Sequence, residues 1–266
     1  MKSDKKYKKT PLSFNRRAVI ASASVTSEKN TIHSFTEVDI SKPRLYMKEY
    51  HRLKGEKLSL TSYIVKCLAQ TITEYPQFNS FISGRNIIQL ENVTISVLVE
   101  RELKGENVPE PLGIEKAEEK SYGEIQKEIQ SAKNQNSDKL GSLSGLWWLN
   151  LIPTFLLKSF IRLADKNIKM GIKYGKIALT AVGMFSKEPL WIIPHGSPTV
   201  LASLGSIVKR VVETENGFST REHLCLTVSF DHNLVDGAPA ARFMNDFTSM
   251  IKEGEIIRAL LEDSRE

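Results

Sequence analysis

Cysteine is nearly missing from this chain: Cys67 and Cys225 are the two among 266 residues. That excludes a disulfide scaffold and a Cys-based zinc cluster, and a reducing, cytoplasmic compartment fits best. There is no G-x-G-x-x-G, no P-loop and no metal-ligand pair of useful spacing, so no bound metal is expected. The basic N-terminus is not followed by an apolar segment, which argues against a secretory signal. No internal repeat is visible. With 41% hydrophobic and 26% charged residues, general disorder, collagen and coiled-coil fibre are also excluded. The chain is long enough for a substantial core.

Basic excess is confined as well. Residues 1–17 hold seven basic side chains against Asp4, a net +6, and +6 is the formal charge of the whole protein. The remainder is neutral, with 30 basic and 30 acidic side chains. A nucleic-acid partner is not expected, because such domains spread basic residues along a binding face. Residues 1–29 read as a basic tail or arm, with helix or extended chain both open for Arg16–Ser27. Residues 30–266 read as a single domain.

One uncharged stretch, Leu140–Leu157, is long enough to raise the question of a membrane span. Its Gly141, Ser142, Ser144, Gly145, Asn150, Pro153 and Thr154 argue for a buried or interfacial helix pair divided near Pro153. Contact with a lipid surface, aided by the basic tail, is the alternative.

Hydrophobic spacing locates the main elements. Ile32–Ile40 reads as a strand and the segment from Ser41 to about Leu53 as a helix, with Ser41 and Pro43 at its start. Leu60, Ile64, Cys67, Leu68 and Tyr75 recur at helical spacing, and Pro76 ends that helix. Gly84–Asn86 is a turn between short strands, and Val93–Val99 alternates as a strand. Pro109 and Pro111 mark residues 104–113 as loop. Residues 115–133 are a charged helix with a solvated face. Ile177–Val182, Thr199–Leu204 and Leu224–Phe230 read as strands. Ala240, Phe243, Met244, Phe247, Met250 and Ile251 define a helix. Strands and helices mix without a strict βαβ rhythm. The expected class is α/β of the α+β type, a mixed sheet flanked by helices.

The chemistry-bearing stretch is Phe230-Asp231-His232-Asn233-Leu234-Val235-Asp236-Gly237. A strand runs into a tight turn bearing His232 and then into a helix. A histidine there is held firmly yet can face a cleft, and its ordinary pKa suits proton transfer near neutral pH. Asp236 can orient it, pair with a nearby charge or cap the following helix. Cys67 and Cys225 sit on apolar faces and read as core. His195 reads as a loop residue, and His33, His51 and His223 lack partner spacing.

The His-x-x-x-Asp-Gly pattern after an apolar strand resembles the catalytic domain of the 2-oxoacid dehydrogenase acyltransferases (dihydrolipoamide acyltransferases), and more loosely chloramphenicol acetyltransferase. Further segments are similar to that family: Phe35–Ile40, Ile64–Asn79, Leu179–Phe185 and Ala238–Phe243. The resemblance implies a CoA-dependent acyltransferase fold and acyl transfer between a CoA thioester and a thiol or hydroxyl acceptor. By it, His232 is the general base, Asp236 a positioning residue, and Thr180, where the family has serine, the oxyanion donor. Asn233, Gly183 and Gly237 are then expected along the substrate site. The family's arginine after the histidine is Asn233 here, and residues 101–174 offer no segment to match. The resemblance also implies a homotrimer with interface active sites. Since no lipoyl attachment is expected on this chain, acyl groups would come from acyl-CoA or from a lipoyl domain of another chain. A catalytically weak assembly subunit is the competing expectation.

Overall fold

The computed structural model describes residues 7–103, 106–134, 153–183, 186–215 and 217–265. Its elements in chain order are α1 (Phe14–Thr26), β1 (Thr31–Asp39), α2 (Ser41–Lys54), α3 (Leu60–Glu74), β2 (Ser80–Ser83), β3 (Asn86–Gln89), β4 (Ile95–Leu103) and β5 (Glu106–Ile114). They continue with α4 (Tyr122–Asn134), α5 (Thr154–Asp165), α6 (Ile168–Tyr174), β6 (Ile177–Ala181), β7 (Val200–Thr214), β8 (Gly217–Asp231), α7 (Gly237–Glu253) and α8 (Glu255–Asp263).

Six strands form one mixed sheet in the order β1-β8-β7-β6-β4-β5. β6 runs parallel to both β4 and β7, and the remaining pairs are antiparallel. β2 and β3 form a separate hairpin whose turn carries Gly84 at φ +61°. The fold class expected from the pattern is the one observed.

Residues 104–113 differ from expectation. They were expected as loop, yet β5 covers most of them and pairs with β4 through Pro109 and Pro111. β5 is the sheet edge, so prolines that cannot donate to a further strand cost little there. The strands β7 and β8 also run well beyond their apolar cores, into a two-stranded arm ending at Thr214 and Gly217. At the N-terminus, the helical alternative holds for residues 14–26, with Ser13 capping α1 through the Arg16 amide.

Helices α2, α4 and α7 lie against the sheet and α3 packs on α4 and α7, in a core where Tyr63, Ile64, Leu68 and Phe247 are buried. Cys67 is buried there and Cys225 is buried on the other face of β8, both as expected of core residues, and burial pushes the Cys67 thiol up to about 12. An aromatic cluster sits at the end of β8 that leads into His232. Phe243 of α7 lies 5.7 Å from Phe230 of β8, edge to face, and 5.2 Å from Phe78. Such ring pairs add to the burial energy, and they lock the last residues of β8 to the first turns of α7.

Residues 135–152 lie outside the described residues, and with them most of the uncharged stretch. Its described end, α5, has no fully buried residue, so a buried helix is not what forms there. Among the described residues, no helix is long and apolar enough to cross a membrane.

Candidate active site

β8 ends at Asp231, and the chain turns immediately. The turn is built by Asp231, whose Oδ1 accepts from the Asn233 backbone amide at 3.1 Å and from Asn233 Nδ2 at 2.8 Å. This is the Asx geometry that lets a short acidic side chain replace a backbone turn. Asn233 Oδ1 in turn accepts from Asn30 Nδ2 at 3.1 Å, and the His232 amide donates to the Asn30 carbonyl at 2.7 Å. Val235 is buried in the core just below. The backbone of His232 is therefore fixed on both sides.

The imidazole is fixed as well. Nδ1 lies 2.9 Å from the Val235 carbonyl oxygen. A carbonyl only accepts, so Nδ1 carries a proton, and in the neutral ring Nε2 holds the lone pair. The ring remains 44% exposed. A neutral imidazole with one nitrogen tied down and the other presented outward is the form a general base requires.

Asp236 does not supply that orientation within the chain. Its carboxylate is 3.9 Å from Nδ1, which is already committed, and is 86% exposed. It precedes α7 without making a side-chain cap. Gly237 opens α7, and a side chain added there would meet nothing within 4 Å.

An ion cluster that the sequence did not signal lies behind the turn. Lys29 Nζ is 3.3 Å from Asp231 and 3.7 Å from Asp165, and it donates to the Ser197 carbonyl. Lys176, at the entry to β6, pairs with Asp165 at 2.7 Å and sits 4.7 Å above the Phe81 ring. Burial pulls the Lys176 ammonium below its ordinary value, with Asp165 opposing. Burial alone would raise the Asp165 carboxyl, but Lys176 and Lys29 more than offset it and hold it low. These groups line a cleft of about 220 Å³ that also reaches Asn233. Their spacing spreads over Lys29, Asp165, Lys176 and Asp231, so no local motif could have revealed the cluster.

Thr180 is elsewhere. It is half-buried near the far end of β6, and its hydroxyl makes no hydrogen bond among the described residues. Thr180 pairs with Ser203, and Ser203 with Thr227. His232 follows Thr227 by five residues, one past the end of β8. Two strand spacings and that rise put the two residues roughly 19 Å apart. Thr180 and His232 thus stand at opposite ends of the strands and do not meet within one chain. Gly183 lies near Thr180, beside a cleft of about 310 Å³. A Cβ on Gly183 would fall 1.6 Å from the Gly205 carbonyl oxygen, so the close approach of the two backbones demands glycine. Among the described residues, no cluster of His, Cys, Asp or Glu could hold a metal ion.

A mixed sheet with an anchored histidine at a strand-turn-helix corner is an arrangement suited to base-assisted group transfer. The comparisons sharpen this. A sequence model of the 2-oxoacid dehydrogenases acyltransferase (catalytic domain) matches residues 4–144 and 165–259, and the chain belongs to that family. The lipoamide acyltransferase component of the branched-chain alpha-keto acid dehydrogenase complex of Bacillus subtilis is 29% identical over 245 residues. The dihydrolipoyllysine-residue acetyltransferase component of the Mycoplasma pneumoniae pyruvate dehydrogenase complex is 28% identical over 248 residues. Each alignment covers 89% of this chain, with 50% and 54% of the respective relative. The chain therefore spans about half the length of these curated relatives.

Solved structures agree on the fold. A probable dihydrolipoamide acetyltransferase from Listeria monocytogenes superposes with a TM-score of 0.68 at 24% identity, covering 94% of this chain and 96% of that one. A chloramphenicol acetyltransferase superposes at 0.51 and 12% identity, covering 93% and 99%.

Proposed function

We propose that this protein transfers acyl groups between a CoA thioester and a thiol acceptor of the dihydrolipoyl type. The observation that carries the reading is the His232 ring, held by the Val235 carbonyl so that Nε2 is the free base. Family membership supplies the substrate class, since the relatives are named as lipoamide and dihydrolipoyllysine acyltransferases.

In this reading Nε2 of His232 takes the proton of the acceptor thiol, which is mostly protonated at neutral pH. The sulfur attacks the thioester carbonyl, and a tetrahedral oxyanion forms. The hydroxyl of Thr180 donates to that oxyanion. Collapse breaks the bond to the CoA sulfur, and the imidazolium returns the proton to the departing thiolate. A study of the Azotobacter vinelandii dihydrolipoamide acetyltransferase concerned the roles of a serine, a histidine and an asparagine in its mechanism. His232 and Thr180 offer two of those functions here, with threonine in place of serine.

The roughly 19 Å between the two residues requires that they come from different subunits. A cyclic homotrimer, as the family resemblance implies, would join the His232 end of one copy to the Thr180 end of the next. The exposed Asp236 would meet a neighbouring copy at that junction. Asn233, whose described hydrogen bonds all turn inward, would hold the His232 loop, while Gly183 and Gly237 would let backbone approach the substrate. The acyl group would arrive on CoA or on a lipoyl group carried by another chain. The free, buried Cys67 and Cys225 are compatible with a cytoplasmic setting.

The test is thiol release from a panel of acyl-CoAs with dihydrolipoamide as acceptor. Turnover that falls by roughly 10²–10⁴ in His232→Ala supports the assignment. Asn233 in place of the family's arginine favours the second reading, a weak catalyst that serves assembly. A folded oligomer without turnover on any pair would move the conclusion there.

A further inference from the structure

Helix α5 is amphipathic in an unusual sense, because its apolar side faces solvent. At about 100° per residue, Phe155, Leu163, Leu156 and Phe160 fall within an arc of about 140°, with Ser159 among them. Phe155 and Phe160 are each 67% exposed and Leu163 71%. The opposite arc holds Leu157, Ile161 and Ala164, which are half-buried, and α1 is the element packed against α5. Arg162 and Lys158 border the exposed apolar arc on one flank.

Charge singles out the same region. Residues 153–176 contain Lys158, Arg162, Lys166, Lys169, Lys173 and Lys176 against Asp165 alone, a net +5. Residues 1–17 add +6, and their last residues open α1, which lies on α5. Because the whole chain carries +6, everything outside these two segments sums to −5. Glu28 is shared between Lys158 and Arg162 and Asp165 is taken by Lys176 and Lys29, so neither offsets the outer lysines. The family match stops at residue 144 and resumes at 165. The exposed apolar arc therefore lies in the one internal stretch that the family pattern does not cover.

We infer that α5 docks this protein, in the plane of the interface, on an anionic lipid bilayer. Phe155, Leu156, Phe160 and Leu163 enter the boundary between headgroups and acyl chains. The exposed Lys166 and Lys169, with Lys8, Lys9 and Arg16 of the N-terminal segment, meet the negative headgroups. A twelve-residue helix is about 18 Å long and lies on a bilayer without crossing it. A two-fold contact with a second copy is the less favourable occupant, because it would bring two patches of the same sign together.

The test is co-sedimentation of the full chain with vesicles of phosphatidylcholine alone or phosphatidylcholine mixed with phosphatidylglycerol. Binding is expected with the mixed vesicles and should weaken as salt is raised. The double variant Phe160→Glu, Leu163→Glu should lower the affinity roughly tenfold or more. It changes exposed residues only, and circular dichroism will verify that it folds. The variant Lys166→Gln, Lys169→Gln should lose affinity for the mixed vesicles while keeping the apolar arc. Absence of binding to anionic vesicles, or equal binding by the Glu variant, overturns the inference. A change of oligomeric state in the Glu variant, with no vesicle binding by the parent, would overturn it too and assign the arc to a second copy.

Discussion

The separation of His232 from Thr180 makes subunit mixing the sharpest test of the proposed site. Consider His232→Ala in one chain and Thr180→Val in another. The first removes the base, at a cost of roughly 10²–10⁴ in rate. The second removes an oxyanion donor while keeping the shape of the side chain, at a cost of roughly 10²–10³. Thr180→Ser should stay close to the parent. Each variant trimer alone is nearly inactive. Co-expression with two different tags, followed by purification on both, isolates trimers that contain both chains. In a cyclic trimer each site takes His232 from one copy and Thr180 from the next. Any mixed ring, whether two to one or one to two, has a single junction at which the Thr180→Val chain supplies His232 and the His232→Ala chain supplies Thr180. Mixed trimers should therefore regain about one third of parental turnover. If both residues act in one reaction they come from different copies, because a single chain places them roughly 19 Å apart. Acyl transfer to dihydrolipoamide is the readout. Recovery no greater than the sum of the two parents, in trimers shown by both tags to be mixed, would refute the shared site.

Two further predictions concern what holds the site in place. Asp165→Asn strips Lys176 of its charged partner while the ammonium stays buried, and the expected loss of stability is about 3–5 kcal/mol by denaturant titration; a loss below about 1 kcal/mol would show that the cluster contributes little. His33, bonded to Ser229 at 2.7 Å, is held below its ordinary pKa by burial first and by His195 second. The unfolded chain then binds more protons than the folded one as pH falls below about 6.5, so this contribution is complete above that pH and is lost as pH drops through the folded value. His33→Gln should flatten the stability profile on the acid side, and an unchanged difference between neutral and acid pH would remove His33 from it.

How much of this was legible in the sequence depended on how local each signal was. The helix α3 and the alternating core of β8 declared themselves through spacing, because one buried face repeats at the period of the element. The turn at His232 was legible for a similar reason: Asp231, Asn233 and Val235 lie within a few residues of it and do all the anchoring on one side. β5 was misread as loop because proline usually ends a strand, and only the strand order reveals that this one is an edge. The ion cluster joins Lys29, Asp165, Lys176 and Asp231 from separate stretches of the chain, so nothing short of the fold could assemble it. Thr180 is the most instructive case. Resemblance pointed to it and to His232 as partners drawn from neighbouring subunits, but nothing in the residues themselves indicated how far apart one chain holds them. That geometry changes what a single chain can be. Folded alone, it would hold His232 and Thr180 too far apart to act on one substrate atom. If both residues act in one reaction, the smallest active unit is a pair of copies, and any mutation that loosens the contact between them should abolish turnover while leaving each fold intact.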